Sequence, residues 1–186
     1  MPKILIITSS VRTGRKSPRV SFYFKKLIEE NKLADAEIMD LKEYQFPVFD
    51  ERLQYQENPS EKVIEAALKI KNANGVLIVT PEYNGGYPAS LKNLIDLLIE
   101  EWHHKPIAIS TVSSGAFGGS QVIVTLQYTL WKLHALVAPV TFPVPQVHET
   151  FDENGIPRDK EKTDKRALKF VNELLWVIEA CRKMQS

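Results

Sequence analysis

Three short polar segments hold the residues that could do chemistry. The first is Ser9-Ser10-Val11-Arg12-Thr13-Gly14-Arg15-Lys16-Ser17, which follows an apolar run and precedes a helical pattern. Hydroxyls, backbone N–H groups and a helix N-terminus converge there, and the helix dipole favours an anion. Arg12 and Arg15 add the charge that suits a phosphate. The segment has neither the Gly-Lys-Thr/Ser of a P-loop nor the Gly-x-Gly-x-x-Gly of dinucleotide folds, so a compact monophosphate fits it better than a pyrophosphate. Ser9, Ser10, Arg12, Arg15 and Ser17 are its candidate ligands.

The second segment, Pro81-Glu82-Tyr83-Asn84-Gly85-Gly86-Tyr87-Pro88, follows the apolar run Gly75 to Thr80. Its glycines let backbone approach a flat ligand closely. Pro81, Glu82, Tyr83 and Asn84 are the candidate contacts, with Tyr83 able to stack. The third, Ser113-Ser114-Gly115-Ala116-Phe117-Gly118-Gly119, is small and polar, and contributes Ser113, Ser114, Gly115 and Gly118. Each segment also has a plainer reading: a capped loop with surface arginines, a turn before a helix, an ordinary Gly/Ser-rich connection. The coincidence of all three favours a ligand.

No side chain stands out as a nucleophile, acid or base. Glu82 has neighbours that suggest ligand positioning. A Gly-x-Ser-x-Gly elbow is missing. His103-His104 resembles a charge cap at a helix end, and His134 and His148 lack partners at metal-ligand spacing. Cys181 lies late in a helix beside Arg182 and Lys183, not in the helix-N-terminal setting of a reactive thiol. No catalytic side chain and no metal site are expected among these residues.

The elements that must position these loops alternate. Strands are expected at Lys3 to Thr8, Ala36 to Asp40, Gly75 to Thr80, Pro106 to Thr111 and Leu136 to Val140, most of them apolar on both faces as central parallel strands are. Helices are expected at about Pro18 to Asn31 with Ser17 as N-cap, and from the capping box Asn58-Pro59-Ser60-Glu61 to about Ala73. Further helices are expected at Pro88 to Glu101, Gly119 to His134, and about Thr163 to Lys183. Leu41 to Glu57 is a long irregular connection, more often functional than idle. The pattern implies an α/β fold: a flavodoxin-like, doubly wound, five-stranded parallel sheet with helices on both faces. In such sheets the ligand sits at the carboxyl ends of the strands, a mononucleotide's phosphate at the first loop and its ring at later ones.

The chain has 186 residues, 44% hydrophobic and 25% charged. It is long enough for one domain, 1–186, with a full core. Net charge is +1, so no bulk field favours nucleic acid or an anionic membrane. No apolar stretch approaches the roughly 20 residues of a membrane span. A single cysteine and an N-terminus that passes straight into a strand suit the cytoplasm.

The residues match a family pattern. Ser9-Ser10-Val11-Arg12…Gly14-Arg15 resembles the Gly-Ser-x-Arg-x-Gly-Arg opening of the NADPH-dependent FMN reductases, with Ser9 in place of the usual glycine. Thr80-Pro-Glu-Tyr-Asn…Pro88…Leu91-Lys92-Asn93…Asp96 is similar to their Pro-Glu-Tyr-Asn signature and following helix. The loop ending Gly118-Gly119 is similar to their third flavin loop. The resemblance implies bound FMN, with NADPH or NADH as co-substrate and a quinone, azo compound, flavin or similar small molecule as electron acceptor. It also implies a homodimer or tetramer. Trp102, Trp131 and the helix Gly119 to His134, uncharged until Lys132, are the expected dimer face. The rival is a flavodoxin-type electron carrier or an FMN-binding protein without direct NAD(P)H oxidation. Carriers are usually strongly acidic, which a charge of +1 does not match.

Overall fold

A computed structural model describes residues 1–185. Strands β1 (Lys3–Thr8), β2 (Asp35–Asp40), β3 (Gly75–Pro81), β4 (Pro106–Val112), β5 (Leu136–Val137) and β6 (Phe142–Val144) form one parallel sheet. Its order is β2-β1-β3-β4-β5, and β6 also pairs with β4. Helices are α1 (Ser17–Glu30), α2 (Leu41–Tyr44), α3 (Glu61–Asn72), α4 (Ala89–Leu97), α5 (Ser120–Lys132), α6 (Val147–Thr150) and α7 (Lys160–Gln185).

Every residue of β3 and β4 is buried, so their side chains must pack on both sheet faces. Alternation then sorts them. Ile4, Ile6, Leu77 and Val79 join α1 and α7 in one core, while Leu5, Ile7, Val76 and Ile78 join α3, α4 and α5 in the other. The first core is aromatic: Phe24 lies 5.1 Å from Phe142 and 5.4 Å from Phe170, centroid to centroid. Each such side chain, fully buried, contributes about 1.5–3 kcal/mol by leaving water.

The fold has the expected doubly wound form with one difference in the sheet. The fifth strand position is split. Ile107 faces Val137, but Ser110 faces Phe142, so the chain loops out between β5 and β6. Pro139 lies in that gap and has no N–H to give a ladder. Leu136 to Val140 is therefore not one continuous strand.

Helix boundaries shift for identifiable reasons. Lys16, not Ser17, is the N-cap of α1, and no side chain caps it. Ser60 caps α3 through a 3.4 Å bond from the Val63 N–H, which leaves Pro59 outside the helix. α4 stops at Leu97, and a 3-10 turn follows at Glu100–Trp102. Trp102 is fully buried, its indole N–H donating to the Ile95 carbonyl at 3.3 Å, so it belongs to the core and not to a dimer face. The long connection after β2 is partly ordered: α2 opens it, and Asn93 pins it by donating to the Pro47 carbonyl at 2.6 Å and accepting from the Phe49 N–H at 3.3 Å.

The turn Asp152 to Gly155 docks on α1. Gly155 has φ +78°, and a Cβ there would lie 2.4 Å from the Arg19 carbonyl oxygen and 2.8 Å from the Tyr23 nitrogen. Both obstacles are backbone. Gly155→Ala should therefore cost about 2–4 kcal/mol, combining left-handed strain with overpacking. Urea denaturation should show a lowered midpoint at unchanged m.

Candidate functional site

The strand order places β1 between β2 and β3, and the connections after β1 and β3 leave in opposite directions. A crevice must open at their carboxyl ends. A cleft of about 330 Å3 lies there, within the roughly 300–1,000 Å3 typical of small-molecule sites. Ser10, Arg12, Arg15 and Ser17 line it from the first loop, Pro81, Glu82 and Tyr83 from the second, and Ser113, Ser114 and Gly115 from the third. A larger groove, about 710 Å3, lies at the amino ends of the strands. Helix C-termini meet there, and Lys105 answers them by donating to the carbonyls of Lys71 at 3.1 Å and Ala73 at 2.6 Å. Size alone therefore points away from the three candidate loops.

The first loop is braced by its own hydrogen bonds. The Ser9 N–H donates to the Val79 carbonyl at 3.0 Å, and the Ser9 carbonyl accepts from the Ser90 hydroxyl at 2.6 Å. Ser9 is fully buried and takes no part in the cleft wall. Among the described residues its Oγ is a buried side-chain oxygen with no hydrogen-bond partner. Ser10 Oγ and the Tyr83 hydroxyl share a bond of 2.8 Å, which joins the first loop to the second. The Arg12 guanidinium sits over the Tyr83 ring, 5.8 Å from its centroid. Arg15 is held differently: its guanidinium makes a two-pronged ion pair with Asp40 at the end of β2 and donates to the Ser10 carbonyl at 2.6 Å. α1 has no acidic residue in its first turn, so no carboxylate of its own offsets the positive end that meets the cleft.

The second loop turns at Asn84 and Gly85, both at positive φ (52° and 79°), with paired hydrogen bonds between Tyr83 and Gly86. Asn-Gly is the pair that such a type I′ turn prefers. Asn84 thus shapes the loop and does not line the cleft. Glu82 lies in the wall, but its carboxylate accepts from the N–H groups of Gln121 at 3.0 Å and Val122 at 3.3 Å. It is the missing N-terminal cap of α5, whose own N-cap Gly119 offers no side chain.

In the third loop Gly118 has φ +65° and packs so close to Pro143 that a Cβ would meet its side chain at 3.0 Å. Gly118 therefore sits behind the wall. Ser113 and Gly115 are tied to the segment after β6: the Ser113 N–H donates to the Val144 carbonyl at 3.0 Å, and the Gln146 N–H to the Gly115 carbonyl at 3.1 Å. That pairing brings Val147 into the cleft beside Val112. Sequence reasoning missed both valines. Val112 extends β4 by one residue, and Val147 opens α6, in a stretch for which no strand or helix is expected from the sequence.

The remaining candidates lie elsewhere. The rings of His103 and His134 stack at 5.0 Å. Among the described residues no group of three or more His, Cys, Asp or Glu is placed to hold a metal. Burial pushes the Cys181 thiol pKa upward, away from reactivity.

The family model of the NADPH-dependent FMN reductases matches residues 2–149. An NAD(P)H-dependent FMN reductase of Schizosaccharomyces pombe is 34% identical over 163 residues, covering 86% of this chain and 76% of that protein. A quinone reductase of Escherichia coli is 39% identical over 95 residues, covering 49% of this chain and 50% of that one. Among solved structures, the flavoenzyme NAD(P)H:(acceptor) oxidoreductase FerB from Paracoccus denitrificans superposes with a TM-score of 0.77 at 21% identity, covering 96% and 98% of the two chains. The chain belongs to the NADPH-dependent FMN reductase family.

Glu82→Gln should weaken the anchor of α5 by about 0.5–2 kcal/mol, the range for loss of a helix cap. Thermal unfolding would register this directly. Faster amide exchange at Gln121 and Val122, with α1 unaffected, would locate it.

Proposed function

From membership of the NADPH-dependent FMN reductase family, we propose that the three-loop cleft is the FMN site of this NAD(P)H-dependent oxidoreductase. The observation that carries this reading is the meeting of an uncapped helix N-terminus, basic side chains and two glycine-shaped loops at one crevice. These groups suit FMN. The α1 N-terminus, Ser10, Ser17, Arg12 and Lys16 would hold the phosphate. Pro81 to Tyr83 would offer backbone to the ring, with Ser113, Ser114 and Gly115 opposite.

Bound there, FMN would supply the redox chemistry that links NADPH or NADH to a quinone, azo compound, flavin or similar acceptor. The protein's part is geometric. Tyr83 and Ser10 fix the two loops against each other. Val112 and Val147 make an apolar stretch of the wall. The carboxylate in the wall, Glu82, is committed to α5 and is not offered as an acid or base. Adding NADPH anaerobically to the flavin-loaded protein should bleach the visible flavin bands within seconds. Bands that persist would favour a carrier, and a protein that binds no FMN would remove the cleft assignment.

We further propose that residues 1–186 act as one cytoplasmic domain that assembles as a homodimer or tetramer. One sheet carries both cores, and among the described residues no helix is long and apolar enough to cross a membrane. Phe117, Val124, Tyr128 and Trp131 are each more than 60% exposed and follow one another along α5 and the loop before it. An apolar stripe of this kind marks an interaction surface. Sedimentation at micromolar concentration should show an oligomer, and Trp131→Glu should shift it toward monomer with the fold intact. A wild-type monomer would refute this.

A further inference from the structure

We infer that Asp40, at the end of β2, is the positioning residue of the phosphate loop, acting through Arg15. This rests on the reading of the cleft as an FMN site. Arg15 lies in the cleft wall and resembles a phosphate ligand, yet both terminal nitrogens of its guanidinium bind the Asp40 carboxylate. The pair is largely withdrawn from solvent, with side chains 15% and 16% exposed. The same Nη1 also donates to the Ser10 carbonyl. Arg15 is therefore neutralised and turned to bracing the loop.

Asp40 is itself fixed. Its Oδ1 accepts from the Lys42 N–H at 3.0 Å and so caps α2. The contacts run unbroken from there: Asp40 holds Arg15, Arg15 holds the Ser10 carbonyl, and the Ser10 hydroxyl meets Tyr83 of the ring loop. Two-pronged carboxylate–guanidinium geometry fixes direction as well as distance, which a single lysine contact does not. The loop is thus set from the end of a neighbouring strand. Among the described residues, Arg12, which lies over the Tyr83 ring, and Lys16 are the other cations of the cleft lining that can face a phosphate.

Asp40→Asn decides between two roles for Arg15. The variant keeps the cap for α2 and removes the charge that holds the guanidinium. If Arg15 is a brace, the loop loosens. The dissociation constant for FMN, read by quenching of flavin fluorescence, should then rise about 10- to 100-fold, the scale of a lost charge-assisted contact. Riboflavin has no phosphate, and its constant should move less than about threefold. Arg15→Lys, which keeps charge but loses the two-pronged geometry, should reproduce the selective loss, and unchanged FMN binding in it would overturn the brace even if Asp40→Asn fails to fold. Tighter FMN binding in Asp40→Asn would overturn the inference, since it would mean that Asp40 competes with phosphate for Arg15. Unchanged FMN binding, or equal loss for FMN and riboflavin, would overturn it too. A wild-type protein that ignores FMN would instead strike the cleft assignment.

Discussion

Three parallel strands end side by side in the buried interior, and the hydrogen-bonding groups at those ends must be satisfied. That constraint shapes the working edge of the molecule. Buried N–H and C=O groups left unpaired each cost on the order of 1–3 kcal/mol. At the end of β1, Thr8 gives its hydroxyl to Ser21 at 2.6 Å, and Ser9 continues the ladder to Val79. At the end of β4, the hydroxyls of Ser110 and Thr111 answer the carbonyls of Phe142 at 2.9 Å and Gly118 at 2.6 Å. These small buried hydroxyl residues close off the sheet behind the cleft. Ser9 Oγ is the place where the accounting fails among the described residues.

Side chains that look alike in sequence are divided between two duties. Arg12 faces the cleft over an aromatic ring, while Arg15 is locked to a carboxylate. Ser10 and Ser17 stand in the wall, while Ser9 lies behind it. Glu82 sits in the wall and works for a helix. The common cause is that a rigid cleft needs as many groups fastening its loops as groups facing a ligand.

Much of this was legible from sequence because the signals are local. Apolar runs ending in Gly, Ser and Pro marked β1, β3 and β4 and the loops after them, and ten of the thirteen candidate residues meet in one cleft. What was not legible is nonlocal. Asp40 is 25 residues from Arg15, and the Gln121 N–H is 39 residues from Glu82. No spacing rule links them. Val147 enters the cleft only through ladder bonds made by a segment without repeating pattern. Trp102 was misjudged because a large aromatic after a helix looks the same whether it packs inward or outward. The break at Pro139 is a different case: the proline was visible, and its missing N–H sufficed to end the strand.

The loop after β3 is moored to α5 at both ends. Glu82 grips the first turn of that helix, and the Tyr87 hydroxyl meets Thr129 at 2.8 Å two turns further on. The Asn84–Gly85 turn is slung between these moorings like a short suspension span. Its mobility is therefore not its own. Slack in the turn requires fraying α5 at one end or letting go of Thr129 at the other, so the loop's opening frequency is borrowed from the helix. Hydrogen exchange at Tyr83 and Gly86 becomes a gauge of α5.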